Sequence, residues 1–246
     1  MKMKNLQSAF DVRQNLQKLG DKNKAKILMR FFKTGKGQYA EGDLFWGINV
    51  PNIRIVAKKA AGIELNEVDK LIQDSVHEVR LCALLILVYK FNSSDDSIKV
   101  DIYNLYLGKS KYINNWDLVD VTSPNIVGNY LLGRDRSILY KMAGSDNIWE
   151  RRIAIISTFA FIKRGDFKDA INICKLLISD KHDLIHKATG WMLREIYKRD
   201  REPVIKLLDE YAASMPRTML RYSIEKMDEP ARLHYLHLRD KKNKLK

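Results

Sequence analysis

The chain has 246 residues, 44 Lys and Arg against 30 Asp and Glu, and a net charge of +14, with a sequence pI near 9.6. A hydrophobic fraction of 46% excludes a disordered chain, and only 12 Gly and 5 Pro exclude a collagen-like or low-complexity one. Two cysteines, Cys82 and Cys174, cannot build a disulfide framework or a Cys-rich zinc site.

The length favours a single domain over residues 1–246. The first twenty residues are basic without a continuous apolar stretch, so no signal peptide is expected. The longest apolar run, Leu81 to Tyr89, is too short to span a bilayer. A reduced, cytoplasmic setting is expected, with nucleoid association when bound to DNA. The excess of positive charge points to nucleic acid before an anionic membrane surface. Part of it lies in the tail 239–246, read as a solvated, frayed end. Removing the tail's five Lys/Arg and one Asp still leaves +10.

Taken in chain order, helices are predicted at about 24–33, 52–61, 65–73, 76–91, 96–107, 136–143, 148–162, 167–178, 185–197, 202–213 and 217–226. The segment 76–91 carries Val79, Ala83, Leu84, Leu87, Val88 and Phe91 on one broad face at helical period. Glycines, prolines and the Asn92-Ser93-Ser94 triplet punctuate the chain. Ser94 with Asp95 and Asp96 reads as a helix N-terminus. No alternating run is flanked by hairpin residues, so strands are not expected.

Four stretches starting at Asp74, Ser110, Asp146 and Asp180 align so that Arg80, Trp116, Arg152 and His186 fall in register. A polar cap leads into an apolar helix in each, preceded by a shorter helix. A helical-pair repeat follows, and stacking such pairs gives an all-α, HEAT-like solenoid with a concave basic groove. Such a groove would suit a duplex and needs no second copy, so a monomer is expected.

Chemistry concentrates at matching points of these repeats. Trp116 and Asp120 are four apart, which places both on one helical face. Asp117 falls on another face. Trp149 and Arg152 are three apart, and Lys187, Trp191 and Arg194 follow an i, i+4, i+7 spacing. Each feature has a plainer reading: a Trp at helical spacing is usually core, and a charged residue on a helix is usually solvated. Their recurrence in a basic protein favours a binding surface. The five histidines form no HExxH pair, and His182 and His186 lack an evident third ligand, so no metal is expected. There is no P-loop, dinucleotide fingerprint, CxxC pair or GxSxG elbow, so no cofactor or nucleophile scheme is expected either.

At these residues the sequence resembles the AlkD-type DNA glycosylases, HEAT-like-repeat enzymes that excise alkylated bases. The likeness covers roughly residues 24–235. It rests on FWGINVP (45–51), NNWDLVDVTSPNIVG (114–128), SDNIWERRIAI (145–155) and HKATGWMLREIYK (186–198). The stretch 34–43 is longer than the corresponding turn in that group. The resemblance implies Asp120 as the catalytic carboxylate and Trp116 and Trp191 as rings packing on the damaged nucleotide. It implies Arg152 as a backbone contact, with Arg194 a further candidate. Lys187 and Trp149, placed beside them by spacing, complete the expected DNA-binding set. The implied partner is duplex DNA carrying alkylated bases, with no membrane and no metal. The implied activity is that of a monofunctional alkylpurine glycosylase. Two other uses of such a fold stay open on sequence alone: non-catalytic DNA recognition and a protein scaffold.

Overall fold

A computed structural model describes residues 6–244, with side chains described for residues 6–238. Residues 1–5, 245 and 246 lie outside the described set, and so do the side chains of the basic tail 239–246. The chain divides into two compact units, Met1–Thr122 and Ser123–Lys246.

The first unit contains α1 (Ala9–Gln17), α2 (Lys22–Phe31), α3 (Val50–Lys59), α4 (Leu65–Ile72), α5 (His77–Ser93), α6 (Asp96–Gly108), a 3-10 turn (Ser110–Tyr112) and the short α7 (Trp116–Asp120). Its organising element is α5, against which α1, α3, α4, α6 and α7 pack. The sequence predicts one broad apolar face for this helix. The structure instead buries 13 of its 17 residues, including the polar His77, Glu78 and Arg80 at its start. A helix covered on all sides must pair its polar groups internally, and the partners define the site described below. The helix α1 is absent from the sequence expectations, because it buries only Val12 and Leu16. It is tied down by polar contacts: the Ala9 amide donates to Glu67 at 2.7 Å, and Arg13 Nε to Asp74 at 2.7 Å. The start of α6 is capped by Asp95, which accepts from the Ile98 amide, while Ser94 closes α5.

The second unit opens with a single π-helical turn, Pro124–Gly128. It continues with α8 (Ser137–Ala143), α9 (Ile148–Ser157), α10 (Phe159–Ile162), α11 (Lys168–Leu177), α12 (Asp183–Tyr197), α13 (Glu202–Tyr211), α14 (Arg217–Ser223) and α15 (Glu229–Lys244). Here α9 and α12 form the centre, with α8 and α11 against them and α14 packed closely on α12. Gly190 makes that approach possible: a Cβ there would stand 2.5 Å from the Met219 carbonyl and 2.5 Å from Tyr222 Cβ. The predicted helix 148–162 is broken at Thr158, whose hydroxyl donates to the Ile155 carbonyl at 2.6 Å. The stretch expected to fray is helical as far as Lys244.

The repeat register holds for three of its four members. Arg80, Arg152 and His186 occupy the fourth, fifth and fourth positions of α5, α9 and α12. In the remaining member the long helix is replaced by α7 and the π turn. Pro124 has no amide to continue the helical ladder, and Gly128 bonds back to the Ser123 carbonyl at 2.9 Å. The structure is all-helical: among the described residues the only β pairing is an isolated bridge between Leu44 and Val76. No described helix is long and apolar enough to cross a membrane.

Candidate functional site

Helix α7 carries the Trp116/Asp120 pair. Its N-cap, Asn115, accepts from the Trp116 amide at 2.8 Å, which starts the helix at Trp116. Four residues later Asp120 ends it, one turn away on the same face. Both residues are half-buried, so neither is committed to the core or freely solvated. The Trp116 ring is fixed by aromatic packing. It stacks on Phe32 at 5.4 Å and meets Phe31 edge-on at 6.0 Å.

A buried polar cluster holds α7 from behind. Asp117, assigned from spacing to another face than Trp116 and given no role, accepts from His77 Nε2 at 2.8 Å and from the Leu118 amide at 2.9 Å. The other ring nitrogen of His77 faces Asp43 at 3.4 Å. Asp43 also accepts from Arg80 at 2.8 Å and from the Asn114 amide group at 3.1 Å. Arg80 Nη2 in turn donates to Asn114 Oδ1 at 2.9 Å. Burial opposes a charge on His77, but the Asp117 and Asp43 carboxylates raise its pKa to about 9. Asp43 is itself desolvated, yet the hydrogen bond from His77 and the Arg80 charge hold its pKa below the usual range. The imidazolium lies against the rings of Phe45 at 4.5 Å and Phe32 at 5.1 Å. Phe32 therefore touches both His77 and Trp116.

The FWGINVP segment has a defined task in this arrangement. Its Trp46, Gly47 and Ile48 amides all donate to the buried Glu78 carboxylate, at 3.0, 2.8 and 3.2 Å. Gly47 has φ +82, and a Cβ there would lie 2.1 Å from the Asp21 carbonyl and 2.6 Å from the Ala25 nitrogen, at the start of α2. Asn49 then caps α3 by accepting from the Asn52 amide at 3.0 Å. Between α2, this segment, α5 and α7 lies a cavity of about 450 Å³. Ile27, Phe31, Phe32 and Trp116 give it aromatic and aliphatic walls, and Asp117 contributes a carboxylate. The sequence reading missed His77, Glu78, Asp43 and Asp117 as a group. Asp43 and Asp117 lie 34 and 40 residues from His77, which leaves no local pattern.

In the second unit, Trp191 is half-buried on α12 with its ring 5.9 Å from Phe159. Lys187 pairs with Asp183 at 2.7 Å, and Arg194 pairs with Glu225. Two of the residues named from the sequence are buried. Trp149 is only 6% exposed and packs in the core. Arg152 is 5% exposed and donates to the Leu184 carbonyl, tying α9 to α12 instead of reaching outward. His182 caps α12 by accepting from the Leu184 amide, and His186 faces the Asp180 carbonyl. Among the described residues no group of three His, Cys, Asp or Glu could hold a metal ion.

A family model described as DNA alkylation repair enzyme matches residues 12–227. The chain belongs to the DNA alkylation repair enzyme family. It is therefore a DNA alkylation repair protein, and the AlkD-type resemblance carried by the four motifs holds. Solved structures agree on the fold. A predicted DNA alkylation repair enzyme from Enterococcus faecalis is 17% identical, with TM-score 0.68 over 85% of this chain and 97% of that one. AlkD2 from Streptococcus mutans is 18% identical, with TM-score 0.52 over 90% and 100% of the two chains. A further structure, smu.31 from Streptococcus mutans UA159, is 18% identical, with TM-score 0.52 over 89% and 99%. No curated protein sequence matches.

Proposed function

We propose that the protein is a monofunctional DNA glycosylase that removes N3- or N7-alkylated purines from duplex DNA. The observation that supports it is the half-buried Trp116/Asp120 pair on α7, braced through Phe32 and Asp117. An N3- or N7-alkylated purine carries a positive charge, which weakens its bond to C1′. When that bond breaks, the electron pair leaves with the base, the base becomes neutral, and an oxocarbenium-like sugar remains. Asp120 stabilises the charge developing at C1′ and orients the water that adds there, accepting its proton. Trp116 offers an indole face to the sugar, adding cation–π attraction as charge builds, and the family resemblance gives Trp191 the same role. Lys187 and Arg194 exchange their carboxylate partners for phosphates, with binding that weakens as salt rises. Trp149 and Arg152 act inside the fold, supporting α9 and α12. The reaction as written consumes water alone.

The test is base release from duplex DNA carrying N7-methylguanine, with protein in excess. Wild type should release the base. Asp120→Asn should slow release by roughly 100-fold or more, the scale of losing one electrostatic stabiliser of a transition state, while duplex affinity is kept. No release by the wild type, with duplex binding intact, would refute the glycosylase and leave a non-catalytic DNA-recognition protein.

A further inference from the structure

The helix α2 is unusual for the small part of it that is buried: Ala25 is its one buried residue. At about 100° per residue, Lys22, Lys26 and Arg30 line up in one stripe about 12 Å long. The adjoining stripe holds Ile27 and Phe31, which are 66% and 61% exposed. Lys33 and Lys36 continue the charge beyond the helix end. Lys33 takes φ +55, a conformation that favours glycine, at the turn leaving α2.

No carboxylate occurs between residues 22 and 36. Lys24 pairs with Asp21 at 3.5 Å, but Lys22, Lys26, Arg30, Lys33 and Lys36 have no acidic partner among the described residues. Some cations elsewhere are matched, as Arg136 is by Asp166 and Asp169, Arg151 by Asp180, and Arg199 by Glu195. The cations nominated from sequence, Lys187 and Arg194, are matched as well. Three cations without an acidic partner thus share one face of α2, beside two solvent-exposed apolar side chains that line the cavity over Trp116.

We propose that this face of α2 is a DNA-binding surface. Lys22, Lys26 and Arg30, extended by Lys33 and Lys36, neutralise successive phosphates of one strand. Ile27 and Phe31 lie against the nucleosides between them, at the mouth of the cavity. A polyanion with regularly spaced charges and flat apolar rings between them matches both stripes at once. A bilayer would call for a wider apolar face than two residues. The inference rests on the reading above only in taking DNA as the partner. It does not require base excision.

The experiment measures affinity for a fluorescent, undamaged duplex across a salt series. The variants are Lys22→Gln/Lys26→Gln/Arg30→Gln and Ile27→Gln/Phe31→Gln, all at exposed positions. The triple variant should bind more weakly and lower the slope of log affinity against log salt by about 2.7, near 0.9 for each phosphate that is no longer neutralised. The apolar double variant should bind more weakly at an unchanged slope. A triple variant with the wild-type slope overturns the α2 surface while leaving DNA as the partner. Wild type that ignores the duplex but binds phosphatidylserine vesicles through the same lysines also overturns it, in favour of a membrane. Absence of base release, with the predicted slopes observed, sinks the glycosylase and supports this surface.

Discussion

His77 shows how much of the candidate site depends on single residues that carry no chemistry. Its imidazolium is enclosed by Asp117, Asp43, Arg80 and the rings of Phe32 and Phe45. Its folded pKa of about 9 lies above the ordinary 6.5, so the native state holds a proton that the unfolded chain releases earlier. The stability this supplies is complete below pH 6.5 and is lost as pH rises through about 9, up to about 3 kcal/mol in all. Urea midpoints at pH 6 and pH 9.5 check the sign. Wild type should lose more stability over that interval than His77→Gln, which has no proton to give up. Equal losses would mean that His77 is neutral in the fold. The Trp116/Asp120 pair is legible from a spacing of four, because it is local. The groups behind it are not. Asp117 sits next to Trp116 and reads as an ordinary first-turn carboxylate, and nothing in the sequence joins it to a histidine 40 residues earlier.

Among the elements, most of the long helices are legible, because apolar periodicity needs only local sequence. Starts fall where predicted when a cap fixes them, as Asp95 does for α6 and Asn147 for α9, while other boundaries move by one to three residues. Helices α1 and α15 and the π turn escape. Helix α1 has too few apolar residues to show a face. The π turn after α7 replaces a helix that the repeat pattern would supply, because Pro124 interrupts it. The FWGINVP segment stands out as a motif, but its physical role becomes visible only in the fold: three consecutive amides converge on Glu78. Glu78→Ala leaves those three buried or half-buried donors without an acceptor. A loss of about 3 kcal/mol or more is expected, read as a fall in thermal midpoint. Gly47→Ala should also destabilise strongly, by about 2 kcal/mol or more, from the positive φ together with contact against the start of α2. A near-neutral Gly47→Ala would show that α2 shifts freely, which would also weaken its assignment as an ordered surface.

At the scale of the whole molecule, composition and charge exclude many classes of protein, and repetition indicates the all-helical fold. The division into Met1–Thr122 and Ser123–Lys246 is not legible. It falls inside the NNWDLVDVTSPNIVG motif, whose residues read as one continuous signature. No Gly/Pro-rich linker marks the boundary. The two cysteines provide a probe of this organisation, because each unit contains one. Cys82 lies on α5 and Cys174 on α11, both fully buried, and burial raises the pKa of each thiol far above its ordinary value. A buried neutral thiol reacts with a disulfide reagent only when its surroundings open. Native protein at pH 8 should therefore label at neither cysteine over minutes, and both should label in concentrated urea. In Cys82→Ala and Cys174→Ala the remaining thiol reports on one unit alone. If the units unfold as separate cooperative blocks, the two labelling midpoints in urea should differ. If the whole chain unfolds in one transition, they should coincide. Rapid stoichiometric labelling of the native protein would contradict the burial of α5 or α11 and, with α5, the platform on which the Trp116 site is built.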